Sequence, residues 1–254
     1  MTVQDIIDKL DSRSPIDSAL DWDNVGLLVG NATKEVKSIY IALDATDEVI
    51  SHAIDTGADM ILTHHPLIFS GIKRITADDF IGRRVMSLIR NDISYVAFHT
   101  NFDVFGMGDI AADTLGLKNA EPLDETEEDE GIGRIGDIGK VITLRELAET
   151  TKKAFDISYV NVYGDLSANV CRIAISPGSG KSEVDVAVSK GADVLITGDI
   201  GHHDGIDAVA KGIAVIDAGH YGIEHIFIDD MVEYLGELGL NIYKEEIRNP
   251  YEVV

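Results

Sequence analysis

Histidines and carboxylates are the residues of this chain whose placing suggests chemistry. Of its eight histidines, His64, His65, His99, His203 and His220 fall just beyond apolar runs that read as β-strands, with His202 beside them. His99 stands four residues ahead of Asp103, and His220 four ahead of Glu224. If a helix opens at Tyr221, His220 and Glu224 share one face a turn apart, a spacing suited to chelation. His64 and His65 leave the end of MILT as neighbours, so they can reach two different ions or opposite sides of one. Imidazole nitrogen with carboxylate oxygen suits borderline divalent cations such as zinc, iron, manganese or cobalt, and no thiolate pulls the choice toward softer ions.

Taken alone, a His-His pair at a strand end is more often a turn with satisfied hydrogen bonds. Two matching His-x-x-x-carboxylate pairs at corresponding places weigh against that reading. The candidate ligands are therefore His64, His65, Asp103, His220 and Glu224. Five ligands shared by two ions leave positions for water, and a carboxylate can bridge ions roughly 3.5–4 Å apart, as in hydrolases that use two metals. His99 stays open between ligand, hydrogen-bond partner of a ligand and proton carrier. Asp199, His202 and His203 are read as polar or acid–base groups in place of ligands, and His52 and His225 as ordinary surface or core histidines.

These residues need strands to position them, and an internal repeat indicates which. GADMILTHH at 57–65 resembles GADVLITGD at 191–199, with Gly198 where the first copy has His64 and Asp199 where it has His65. Each copy is preceded by an apolar run and a helical stretch, and followed by a further helix and strand. Strand, helix, strand, helix, strand in each half predicts an α/β fold with mostly parallel sheets and right-handed crossovers. In such sheets ligands collect beyond the carboxyl ends of strands, where these histidines stand. The expected organisation is two related halves, 1–124 and 125–254, with a metal cleft between them. The acidic run Glu121 to Glu130 is read as a solvated loop marking the boundary. Gly131 to Lys140 reads as a strand with glycine bends, Thr143 to Phe155 as a helix opened by a Thr143/Glu146 capping box, and Ser158 to Tyr163 as a strand. Val3 to Leu10 has helical apolar spacing.

A hydrophobic fraction of 45% supports a sizeable core, and the formal charge of −24 argues against a nucleic-acid backbone or an anionic membrane as partner. No apolar run reaches the ~18 residues of a membrane span, and the start lacks a secretory pattern, so a cytoplasmic location is expected. Cys171, the single cysteine, is expected to be a buried, inert thiol. SPGSGKS at 176–182 imitates a Walker loop but has Ile175 where the first glycine belongs, so a P-loop is excluded; Lys181 and amides at a helix start could still hold a phosphate or carboxylate. DWDNVGLLVG, with the only tryptophan, reads as a structural turn or a loop lining a site.

Together TVQDIIDKL, DWDNVGLLVG, ILTHHPLIF, HTNFD, TGD followed by His203, and AGHYGIE resemble the NIF-three-like dinuclear-metal-centre family, whose members are commonly labelled GTP cyclohydrolase 1 type 2 homologues. The resemblance covers nearly the whole chain. It implies a duplicated α/β fold, an interdomain site for two divalent ions (zinc, iron or manganese), and a toroidal homohexamer with the sites facing an inner cavity. By motif position it assigns His64 and His65 of THHP, Asp103 of HTNFD, and His220 and Glu224 of GHYGIE as ligands. The chain has no room for the domain that longer members insert between the halves, and SPGSGKSE departs from a run usually richer in glycine and serine. The function implied is a metal-dependent hydrolase of a small, nucleotide-like substrate; the alternative is a non-catalytic metal-handling or regulatory scaffold.

Overall fold

Runs rich in apolar, β-branched residues form strands, and amphipathic stretches between them form helices, in the computed structural model, which describes every residue from Met1 to Val254. In chain order the strands are β1 (Gly26–Val29), β2 (Ser38–Ala42), β3 (Met60–Thr63), β4 (Ser94–Ala97), β5 (Lys118–Glu127) and β6 (Glu130–Thr143). β7 (Asn161–Tyr163), β8 (Asn169–Ser179), β9 (Val194–Gly198), β10 (Ala214–Asp217) and β11 (Asn241–Lys244) complete them. They make two sheets, ordered β1-β4-β3-β2-β11 and β5-β6-β8-β9-β10-β7, so the fold class is α/β. No helix is long and apolar enough to cross a membrane.

One compact unit comprises Met1–Phe102 with Phe227–Ile247. Its β2, β3 and β4 are buried along their length and run parallel, with Ile61 registered between Tyr40 and Tyr95. Strands buried on both faces read as continuous apolar runs, as SIYIA and MILT do. Because side chains alternate, one face of the sheet gives Tyr40, Ala42, Ile61, Tyr95 and Ala97 to a core shared with Val49, Ile50 and Ala53 of helix Asp47–Asp55 and Val85 and Leu88 of helix Phe80–Arg90. The helix starts are specified locally: Thr2 and Asp5 form a capping box for Val3–Asp11, while the Thr46 and Asp79 side chains accept from the amides of Val49 and Gly82.

The other unit comprises Asp103–Ile226 with Arg248–Val254. Its β8, β9 and β10 are parallel, with β6 antiparallel on β8, β5 on β6 and β7 on β10. The Thr143/Glu146 capping box is present and opens helix Leu144–Ala154. Leu144, Leu147, Ala148 and Phe155 pack in one cluster with Ile173, Ile175, Val194 and Ile196.

Both repeat copies become the middle strand of a parallel triplet, β3 in the first unit and β9 in the second. Their aspartates do the same work. Asp59 accepts the amides of Lys37 and Ser38 at 2.8 and 3.0 Å, fastening the start of β2, and Asp193 accepts those of Cys171 and Arg172 at 2.8 and 2.9 Å on β8.

Several elements differ from the sequence reading. The units part at Phe102/Asp103 and again at Ile226 and Ile247, where the sequence suggested one division after residue 124. The reason is a return of the chain: helix Ile226–Gly236 buries Phe227, Ile228, Met231 and Leu235, and β11 adds to the first sheet parallel to β2, Ile242 beside Ile39. The acidic run is no loop but most of β5, which turns into β6 through Asp129 at φ +63°. Only one edge of β5 is paired, and a charged row suits an open edge because it repels further strands. Of Ser158 to Tyr163 only the last three residues pair. Cys171 is partly exposed, because side chains alternate along β8 and it falls on the face opposite the buried Val170.

Candidate metal centre

In the first unit the carboxyl ends of β3 and β4 carry the imidazoles. Thr63 closes β3 with its hydroxyl on the His65 carbonyl at 2.8 Å, and the His65 amide donates to Leu43 O at 3.0 Å, so the His-His corner is fixed at its backbone. Tyr95 supports the same corner: its hydroxyl donates to His65 O and accepts from the Leu67 amide, and burial pushes its ionisation well above the usual tyrosine range. His64 is fully buried, with Nδ1 2.9 Å from Phe98 O. His65 Nδ1 lies 2.9 Å from Asp44 Oδ1. His99, beyond β4, sets Nδ1 2.9 Å from both oxygens of Asp23, which also accepts the Thr100 amide and hydroxyl. Burial alone would raise the pKa of Asp23, but hydrogen bonds from His99 and Thr100 and the attraction of His99 outweigh it and hold the carboxyl well below its ordinary range.

A ring nitrogen that faces a carbonyl or carboxylate oxygen carries the hydrogen, which puts the lone pair on the other nitrogen. Each of these three rings therefore offers Nε2. Ring centroids lie 5.0 Å apart for His64–His65 and His64–His99, and 5.5 Å for His65–His99. Donor atoms of the three can all be drawn within 4.8 Å of one another, close enough to hold a metal ion.

In the second unit Glu224 stands near one imidazole and near a second carboxylate. Asp103 opens a π-helical turn, Asp103–Met107, a wide-turn irregularity often found at functional positions. His220 begins helix His220–Glu224 one residue earlier than the spacing required, after Gly219 at φ +76°. Its Nδ1 is 2.8 Å from Asp199 Oδ2 and its Nε2 is 2.9 Å from Glu224 Oε2, on the same face one turn on. A 2.9 Å separation is a hydrogen-bond distance, and it is also close to the ~3 Å between neighbouring ligands at right angles with bonds of ~2.1 Å. Oxygens of Asp103 and Glu224 also come within 4.8 Å of one another. The three imidazoles of the first unit fit a divalent metal.

Glycines make the second set possible. A Cβ on Gly198 would lie 2.5 Å from the His220 amide nitrogen, which explains why this copy of the repeat has no side chain where the first has His64. A Cβ on Gly178 would meet Glu224 Oε1 at 2.3 Å, and the Gly180 amide donates to Thr197 Oγ1 at 2.8 Å. The glycines of SPGSGKS thus serve close packing beneath the Glu224 carboxylate, while Lys181 pairs with Asp204 at 3.0 Å.

The remaining histidines sort as follows. His225 is buried, with Nε2 2.9 Å from Phe155 O, and His52 is exposed on its helix. His202 and His203 stand exposed at the start of helix His202–Ala210, their rings 5.2 Å apart. Sequence reasoning did not single out Asp44 or Asp23, although Asp44 carries the signal of the histidines, a polar residue just past a buried strand, and Asp23 lies in the loop weighed as a site lining.

The family of Duf34/NIF3 (NGG1p interacting factor 3) has a model that matches residues 1–250. The chain belongs to this family. A relative from Clostridium perfringens, called GTP cyclohydrolase 1 type 2 homolog, is 35% identical over 262 residues covering 100% of both chains. Among solved structures, a Bacillus cereus protein related to NIF3 superposes with a TM-score of 0.95 at 26% identity, covering 100% of this chain and 99% of that one. Reduced HcgD from Methanocaldococcus jannaschii gives 0.85 at 33% identity, covering 96% of this chain and 97% of its own.

Proposed function

We propose that this family member holds two divalent ions, zinc, iron or manganese, with His64, His65, Asp103, His220 and Glu224, and uses them to hydrolyse a small nucleotide-like substrate. The observation that carries the reading is the fastening of every candidate imidazole at Nδ1: His64 by Phe98 O, His65 by Asp44, His220 by Asp199. Metal-ligating histidines need this support, because it fixes the tautomer and ring angle and raises the basicity of the other nitrogen. When bound, a pair of divalent ions supplies Lewis acidity and activates water for attack on carbon or phosphorus. His99, backed by the buried carboxylate of Asp23, is equipped to hold a proton at Nε2 or pass it on. The curated name of the Clostridium perfringens relative supports a purine nucleotide as the first substrate to try.

The experiment is turnover. Protein loaded separately with zinc, iron and manganese should hydrolyse at least one member of a nucleotide panel, and the His65→Ala variant should lose the activity. Equal inactivity of both across the panel would leave the scaffold alternative, in which the bound ions exchange freely. The same reading expects a toroidal homohexamer, which light scattering tests as a mass about six times the 27.5 kDa of one chain.

A further inference from the structure

Two large aromatic side chains stand in water beside His99: Trp22 is 55% exposed and Phe69 51%. Their ring centroids are 5.5 Å apart at a tilt of 43°, and both meet the His99 ring edge to face, at 6.0 and 6.5 Å. Neither ring rides on an untethered segment. Asn24 Nδ2 donates to Ile68 O at 2.5 Å, which ties the loop of Trp22 to the loop of Phe69. Asp23, between Trp22 and Asn24, is anchored to His99 and Thr100 by the bonds described above. The two loops are also the ones that follow or back the candidate ligands, since Phe69 lies four residues beyond His65.

Rings of this size gain by burial, and here hydrogen bonds hold them where they cannot obtain it from their own chain. Tilted aromatic faces fixed in that way favour a further planar ring, whose quadrupole matches theirs in offset or edge-to-face contact. An aliphatic ligand would gain contact area without that match. Resting on the reading of the adjacent histidines as part of a metal centre, we propose that Trp22 and Phe69 form a stacking platform for a planar heteroaromatic ring of the substrate. The ring's substituents would then be presented to His99 and, 5.5 Å from it, His65.

Trp22 is the only tryptophan, so its fluorescence reports the platform directly. In the full-length zinc-loaded protein, guanosine and adenosine should quench it saturably and ribose 5-phosphate should not. By equilibrium dialysis, Phe69→Ala should weaken nucleoside binding about three- to tenfold, and Trp22→Leu about tenfold or more, while Trp22→Phe should stay close to the parent. Zinc content is measured on the same samples. Lost nucleoside binding at unchanged zinc in Trp22→Leu supports the platform, whereas saturable quenching in a chain that holds no zinc would sink the metal reading and leave the platform standing. The inference is overturned if neither nucleoside quenches, if Trp22→Leu binds like the parent, or if Phe69→Ala changes the sedimenting mass, which would assign the rings to a contact between copies.

Discussion

A carboxylate at the end of one parallel strand and a histidine at the end of the next occur in both units, and in both they are separated by 21 residues: Asp44 beyond β2 with His65 beyond β3, and Asp199 beyond β9 with His220 beyond β10. The pairing is a direct product of parallel strands, whose carboxyl ends lie side by side. It also explains what was legible at this scale. Residue type and spacing singled out His64, His65, Asp103, His220 and Glu224 as candidates, because histidines are scarce, at eight in the chain, and the apolar strands beside them are easily seen. Asp44 was not legible as a partner, because it is one among 45 acidic residues and only strand adjacency selects it; Asp199 was singled out by the repeat as a polar or acid–base group, but not as the partner of His220. Asp23 reaches His99 across 76 residues, a contact that no local pattern encodes. Replacing either orienting carboxylate, as Asp44→Asn or Asp199→Asn, should lower divalent-metal affinity about 10- to 100-fold in competition with a chromophoric chelator. Affinities equal to the parent would remove the orienting role.

At the scale of elements, the repeat was visible because both copies build the same object, a buried parallel strand held at its start by an aspartate. Asp59→Ala removes the acceptor for two backbone amides at the head of β2 and should destabilise the protein by about 1–3 kcal/mol in urea unfolding. A second prediction concerns Glu183, buried at the start of helix Glu183–Ser189 with Oε2 unpaired. Burial raises its pKa above the free-chain value, with Asp124 adding to the effect, so the folded state prefers the neutral acid. The penalty is absent in acid and grows as pH rises through the folded pKa. Glu183→Gln should therefore raise the melting temperature at neutral pH, with the gain shrinking as the pH falls below the carboxylate range; a gain that persists in acid would contradict this assignment. β5 was misread for a related reason. Its charges imply solvent exposure, which is correct, but an edge strand is exposed too, and only the pairing with β6 distinguishes it from a loop.

For the whole molecule, the chain's return to its first sheet has the widest consequence. Helix Ile226–Gly236 begins two residues after Glu224, so the last candidate ligand stands where the chain leaves the second unit for the first. A reading that follows the chain from end to end finds two successive halves. It misses this exchange because β11, four residues long and mostly exposed, carries little of the apolar signal that marks the central strands. With a net charge of −24 the chain's surface repels anions, so an anionic ligand would need a cation or a local positive patch to receive it. The central claim is that donors from both units are metal ligands. Elemental analysis of purified, metal-reconstituted protein tests it most directly when wild type is compared with His65→Ala, from one donor set, and Glu224→Gln, from the other. The account predicts about two divalent ions per chain in the wild type and a loss in each variant; a wild type that retains none after reconstitution, or variants that keep the full complement, would contradict it.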